Sequence, residues 1–247
     1  MLVIVNHLSE IKTRVLYLLF SFIFTFLIGY SYSDVMMFIC VLPFITKFSD
    51  KRFIYTDLSE AFSSCLMISF NVSTFFTFLF FIYEVFSFLK PGLYKRELRI
   101  VKFSLQLLFV SSIVAIFFVY QLFLPGMISF FSHFESLQLF SLVLEAKIFE
   151  YLYLVLNCLL WISLLFQLPS LIFLLLYLKF VDITSILLRR KECILLCFVC
   201  GALFSPPDIL SQLLIAFPLW LFLEIIILLF MIIDRYKSVS YGELLEW

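Results

Sequence analysis

SPPDILSQ, residues 205–212, separates two strongly apolar runs, CILLCFVCGALF (193–204) and LLIAFPLWLFLEIIILLFMII (213–233). Two prolines, an aspartate, two serines and a glutamine in so short a gap read as the polar tip of a hairpin. The first run holds 12 residues, roughly 18 Å of helix against a hydrocarbon core of about 30 Å. The second is longer, but Pro218 interrupts its start. Such a hairpin crosses a bilayer only if its tip lies below the outer surface and faces protein or water, because lipid leaves backbone polar groups unsatisfied. The stretch therefore predicts an integral membrane protein with a polar turn at membrane depth.

Composition agrees. The chain has 247 residues, of which 64% are hydrophobic and 14% charged, and its mean hydropathy is +1.16. Soluble domains carry about 25% charged residues, so this chain lacks the polar surface to cover itself in water. A formal net charge of zero offers nothing to nucleic acid. MLVIVNHLSEIKTR, residues 1–14, lacks both the basic-then-apolar layout of a cleaved signal peptide and the character of a transit peptide. The mature protein is expected to start near Met1.

Apolar runs at about 15–32, 62–83, 103–123, 149–178, 193–204 and 213–233 predict six transmembrane helices, the last two short. With six spans, thirteen of the 17 lysines and arginines fall on one side, and Lys47, Lys51, Arg52 and Lys147 on the other. The positive-inside rule then puts both termini on the cytoplasmic or matrix side. Five or seven spans would break that split. The longest connections, about 33–61 and 124–148, lie outside. SDKRFIYTDLSEAF (49–62) reads as an ordered outer cap, with Thr56 or Asp57 available to cap the helix entering the second span.

Chemistry-bearing residues are few. Cys193, Cys197 and Cys200 share a helix face, but their apolar neighbours supply no polar second shell, so they read as small core residues and no metal or cofactor is expected. Asn71 in NVS (71–73) lies inside the second span, which excludes glycosylation. Glu10 and Glu97 share the inner face, each among basic residues: Lys12 and Arg14, and Lys95, Arg96 and Arg99. Either they neutralise these cations, or they receive cationic cargo. Asp208 follows Pro206-Pro207 and suits a helix cap; it could also line a polar wall. Glu224 lies inside the sixth span, where an ionisable residue is costly and usually functional. Gln167 is a milder polar point on the fourth.

No HExxH, GxSxG, Walker loop or CxxC supports an enzyme. His7 and His133 lie outside the spans on opposite sides, which argues against a haem-binding respiratory subunit. A small-solute secondary transporter would suit a broken hairpin but would want an internal repeat, and none is visible. A structural subunit of a respiratory membrane complex stays open on residues alone.

HLSEIKTR (7–14), FIYTDLSEAF (53–62), FLKPGLYKRELR (88–99) and SPPDILSQ followed by AFPLWLFLE (216–224) together resemble the TatC family, the membrane subunit of the twin-arginine protein translocase. Their order, spacing and sidedness fit along nearly the whole chain. The resemblance implies a concave cup of six helices. It also implies binding of twin-arginine signal peptides, movement of folded proteins across an energised membrane, single-span TatA- and TatB-type partners, and homo-oligomers within a larger complex. For signal-peptide binding it implicates Glu10 and Glu97, with Lys12 and Arg14 beside the first and Phe88, Pro91, Leu93 and Tyr94 around the second. Pro43, Thr56, Glu60 and Phe62 match the outer cap, and Asp208, Gln212 and Pro218 the last hairpin. Lys12 stands where the family usually has arginine, and Gln167 where many members have glutamate. The host membrane is bacterial, thylakoid or mitochondrial. The extreme Phe content, 35 of 247 residues, and the lack of a transit peptide favour the mitochondrial inner membrane and an organelle-encoded, MttB-like member.

Overall fold

The computed structural model describes the backbone of residues 2–48, 53–54, 57, 59–136, 146–205 and 209–242, and their side chains except 2–6, 96–97, 133–136, 234 and 236–242. Among the described residues the chain is helical: α1 (Leu2–Ser31), α2 (Ser33–Lys47), α3 (Glu60–Leu89), α4 (Lys95–Phe118), α5 (Leu124–Ser136), α6 (Ile148–Leu165), α7 (Leu168–Tyr177), α8 (Ile183–Leu188), α9 (Arg190–Phe204) and α10 (Ile209–Gly242). Among the described residues, five stretches are long and apolar enough to cross a membrane: His7–Ser31, Glu60–Gly92, Leu98–Ser132, Ile148–Tyr177 and Ile209–Ile233. These coincide with five of the six expected spans. The helices group into two compact units, Met1–Gly92 with Tyr120–Leu160 and Leu93–Val119 with Trp161–Trp247.

Of the two final runs, only one is short. α9 has 15 residues, about 22 Å of helix. α10 has 34 and passes straight through Pro218. An apolar run of this length loses one backbone hydrogen bond at a proline without losing the helix. Pro169 acts differently. Its ring opposes the carbonyl of Leu165 four residues back, and there the fourth span divides into α6 and α7. Pro125 follows a π-helical turn, Val119–Phe123, which lets α4 run into α5.

The expected outer connections are themselves largely helical. α2 fills much of 33–61 and α5 the start of 124–148. α2 carries Pro43, which frees the carbonyl of Ile39; the Tyr120 hydroxyl donates to it at 3.3 Å. Around α2, Val41, Ile68, Ile148, Leu152 and Leu156 form the core of the first unit. Phe44, Phe53 and Tyr151 pack mutually in tilted and edge-on pairs with ring centroids 4.7–5.4 Å apart, and the Tyr151 hydroxyl donates to the Cys40 carbonyl at 3.1 Å. Burial pushes the Cys40 thiol up to about 11. A one-residue parallel bridge joins Ile54 to Lys147.

α1 and α3 approach through small residues. A Cβ on Gly29 would meet the Cα of Ser69 at 3.4 Å. Ser64, Ser69 and Ser73 are buried, and each hydroxyl donates to a carbonyl four residues back in its own helix, at 2.5–2.7 Å. The polar groups are thus spent inside α3, and the contact is one of close packing. In the second unit Phe173, Leu176, Ile226 and Phe230 form a core joining α7 and α10, with Ile100 and Leu107 of α4 against it.

Candidate functional site

Glu10 and Arg14 stand one helical turn apart on α1; Glu84 and Phe88 stand one turn apart on α3. The two pairs meet. The Arg14 guanidinium donates through Nη2 to Glu10 Oε1 at 2.6 Å and through Nη1 to Glu84 Oε2 at 2.8 Å. Nη1 also reaches the Glu84 main-chain carbonyl at 3.2 Å. Its carbon lies 5.7 Å from the centre of the Phe88 ring, close enough for cation–π attraction. His7 meets the same ring edge-on at 6.2 Å. The side chains of Arg14 and Glu84 are 19% and 12% exposed and that of Glu10 37%, so the pair with Glu84 is the more desolvated. Arg14 Nε is buried with no partner.

The other residues expected at this site belong to neither pair. Lys12 is exposed, as is Pro91 in the 3-10 turn Lys90–Gly92. Leu93 and the 79% exposed Tyr94 belong to the second unit. Glu97 lies on the first turn of α4, its side chain outside the described residues. On the expected outer cap, Thr56 is outside the described residues. Asp57 is not the cap of α3: the residue before the helix is Ser59, without a side-chain capping bond. Instead Glu60 is buried and its carboxylate accepts the Asp57 amide at 3.3 Å, because folding back onto the turn satisfies an acid that burial would strand. Pro43 is buried and Phe62 exposed.

In the second unit Gln167 is fully buried at the α6–α7 break. Its Nε2 donates weakly to Ser112 Oγ at 3.4 Å, and its Oε1 has no partner. Half-buried Gln212 ties the hairpin together: its Nε2 donates to the Phe198 carbonyl at 3.1 Å. A Cβ on Gly201 would meet the Gln212 carbonyl oxygen at 2.9 Å, so α9 and α10 touch here backbone to backbone. Glu224 faces Arg190 at 3.9 Å, and Pro218 is half-buried. Asp208, Pro206 and Pro207 lie outside the described residues.

Residues 6–218 match the family model described as Sec-independent protein translocase protein (TatC). The chain belongs to the TatC family. It is 35% identical over 246 residues to the Sec-independent protein translocase protein TatC of Rickettsia prowazekii, covering 96% of each chain. Against a protein of Reclinomonas americana named tatC-like protein ymf16 it is 35% identical over 242 residues, covering 95% of this chain and 90% of that one. A crystal structure of the twin arginine translocase receptor TatC in DDM superposes with a TM-score of 0.75 at 23% identity, over 90% of this chain and 98% of that one, which shows the TatC fold. Membership makes the chain a TatC-type core subunit of the twin-arginine, Sec-independent protein translocase, a multi-pass membrane transport component rather than an enzyme. The match spans Glu10, Glu97, Gln167 and Gln212 and stops at Pro218, short of Glu224.

Glu84, which completes the cluster around Arg14, was not singled out from the sequence. It lies one residue past the expected end of the second span, where an acid passes for interfacial solvation. Its spacing to Phe88, matching that of Glu10 to Arg14, was the available signal.

Proposed function

We propose that this TatC-family chain is the receptor for twin-arginine signal peptides, with Glu10 and Glu97 as the two carboxylates that take the paired guanidiniums. The observation that supports it is the Glu10–Arg14 bond at 2.6 Å, a guanidinium held by the first of those acids at the end of an apolar helix. Guanidinium offers coplanar donors to carboxylate, and lysine does not, so such a site selects arginine pairs. Lys12, Phe88, Pro91, Leu93 and Tyr94 flank the acids in sequence and bound the peptide.

α9 serves as the fifth span despite its length, and both termini lie on the inner side, a reading the charge distribution supports. The tip around Asp208 and Gln212, the outer cap and the intramembrane Gln167 and Glu224 serve contacts with single-span TatA- and TatB-type partners and with further copies of this chain. The host membrane is the mitochondrial inner membrane, in keeping with tatC-like ymf16 relatives in Reclinomonas americana and Arabidopsis thaliana beside the Rickettsia protein.

The test is a photo-crosslinker placed at Glu10 or Glu97 in membranes holding the assembled translocase. A precursor with an Arg-Arg signal is trapped, and the same precursor with Lys-Lys is not. Equal yields from both would sink the proposal.

A further inference from the structure

Arg14 is held by Glu10 and Glu84 over the Phe88 ring, two carboxylates and an aromatic face around one guanidinium. Those are the groups a cargo arginine would want, and the chain's own arginine fills them. We infer that Arg14 is an internal stand-in for the cargo guanidinium, and that Glu84 is a positioning residue that retains Arg14 when cargo takes Glu10. This rests on the assignment of Glu10 to signal-peptide binding.

The geometry gives the order of events. Arg14 uses a separate nitrogen for each acid, Nη2 for Glu10 and Nη1 for Glu84. Its bond to Glu10 can therefore break while the one to Glu84 persists. Glu10 is the more exposed of the two acids, at 37% against 12%, so an incoming group meets it first. Glu84 adds its main-chain carbonyl to its carboxylate, which makes it the firmer anchor. Without Glu84, an Arg14 displaced from Glu10 would be left half-buried, with no counter-ion, beside two arriving cations. An empty site keeps its desolvated acids neutralised, and a lone cation competes poorly against the tethered arginine.

Full-length Glu84→Gln, Arg14→Gln, the double variant and Glu10→Gln are compared in translocase-containing vesicles, using a synthetic signal peptide with an Arg-Arg pair ahead of an apolar stretch. Glu84→Gln weakens peptide binding roughly tenfold, the scale of one charge-assisted bond. The double variant restores binding to the wild-type level or above, because no displaced arginine remains. A merely structural role for Glu84 predicts no rescue, and that result overturns the inference. So does unchanged binding by Glu84→Gln. If Glu10→Gln also binds normally, the carboxylate site itself falls; if Glu10→Gln binds poorly while the Glu84 and Arg14 variants do not interact, only the stand-in role falls.

Discussion

Gly201 sets how closely α9 and α10 can lie. A methyl group placed there would stand 2.9 Å from the Gln212 carbonyl oxygen and 3.4 Å from the Ala216 side chain. Comfortable carbon–oxygen contacts begin near 3.3 Å, and the obstacle is backbone, which cannot rotate aside. Gly201→Ala must therefore separate the helices by about 0.4 Å. A gap of that order forfeits roughly a quarter of the dispersion energy of the facing atoms, and forced overpacking costs about 1–3 kcal/mol. Against this stands a gain of about 1 kcal/mol for alanine over glycine within a helix. The expected net is a loss of about 1 kcal/mol for Gly201→Ala and more for Gly201→Leu. Thermal unfolding in detergent should fall by about 2–4 °C for alanine. Cys197, one turn away and only 4% exposed, should become faster to label with a thiol reagent. Gly92→Ala is the control, since nothing lies within 4 Å of its added methyl. A Gly201→Ala protein as stable as wild type, with Cys197 still protected, would refute the account of this contact.

Lys179 closes α7 with φ 59°, and the Lys179 and Phe180 amides return to the Leu176 and Leu175 carbonyls at 3.1 and 3.0 Å. Glycine fits that backbone better, so Lys179→Gly should raise stability by about 1 kcal/mol, read as a higher unfolding temperature. Tyr151→Phe deletes the 3.1 Å bond to the Cys40 carbonyl and should cost about 1 kcal/mol; a smaller change in Tm than for Gly201→Ala in the same detergent would count against that bond. Cysteines replacing Ser136 and Ser240 should label from opposite sides of sealed vesicles, and labelling from the same side would refute six spans.

Five of the spans were legible because lipid demands length and apolarity, and both are written in the chain. Which face of each helix packs was not. In a bilayer an apolar surface is satisfied on all sides, so periodicity carries little information; close approach marks the contact instead, at Gly29 against Ser69 and Gly201 against Gln212. The α6–α7 break was not read from the sequence, although FQLP, residues 166–169, carries its proline, because prolines in membrane helices do not act alike: Pro218 leaves α10 whole while Pro169 divides its span. What differs is the neighbourhood, a tertiary fact. The site was half legible. Glu10 and Arg14 lie within one turn of sequence, whereas Glu84 stands 70 residues from Arg14 and Arg190 meets Glu224 only across the α9–α10 hairpin.

The pairing of Glu10 with Arg14 also bears on how the protein is made. α1 is synthesised before any helix it packs against, and none of its most apolar window is buried in the finished fold, so it must enter the bilayer on its own affinity for lipid. Arg14 borders that segment, and drawing it unpaired below the headgroups would be costly. An acid one turn before it cancels the charge within the nascent helix itself, with no need for another part of the chain. The ion pair thus serves first as an aid to insertion, while Glu84 has yet to leave the ribosome.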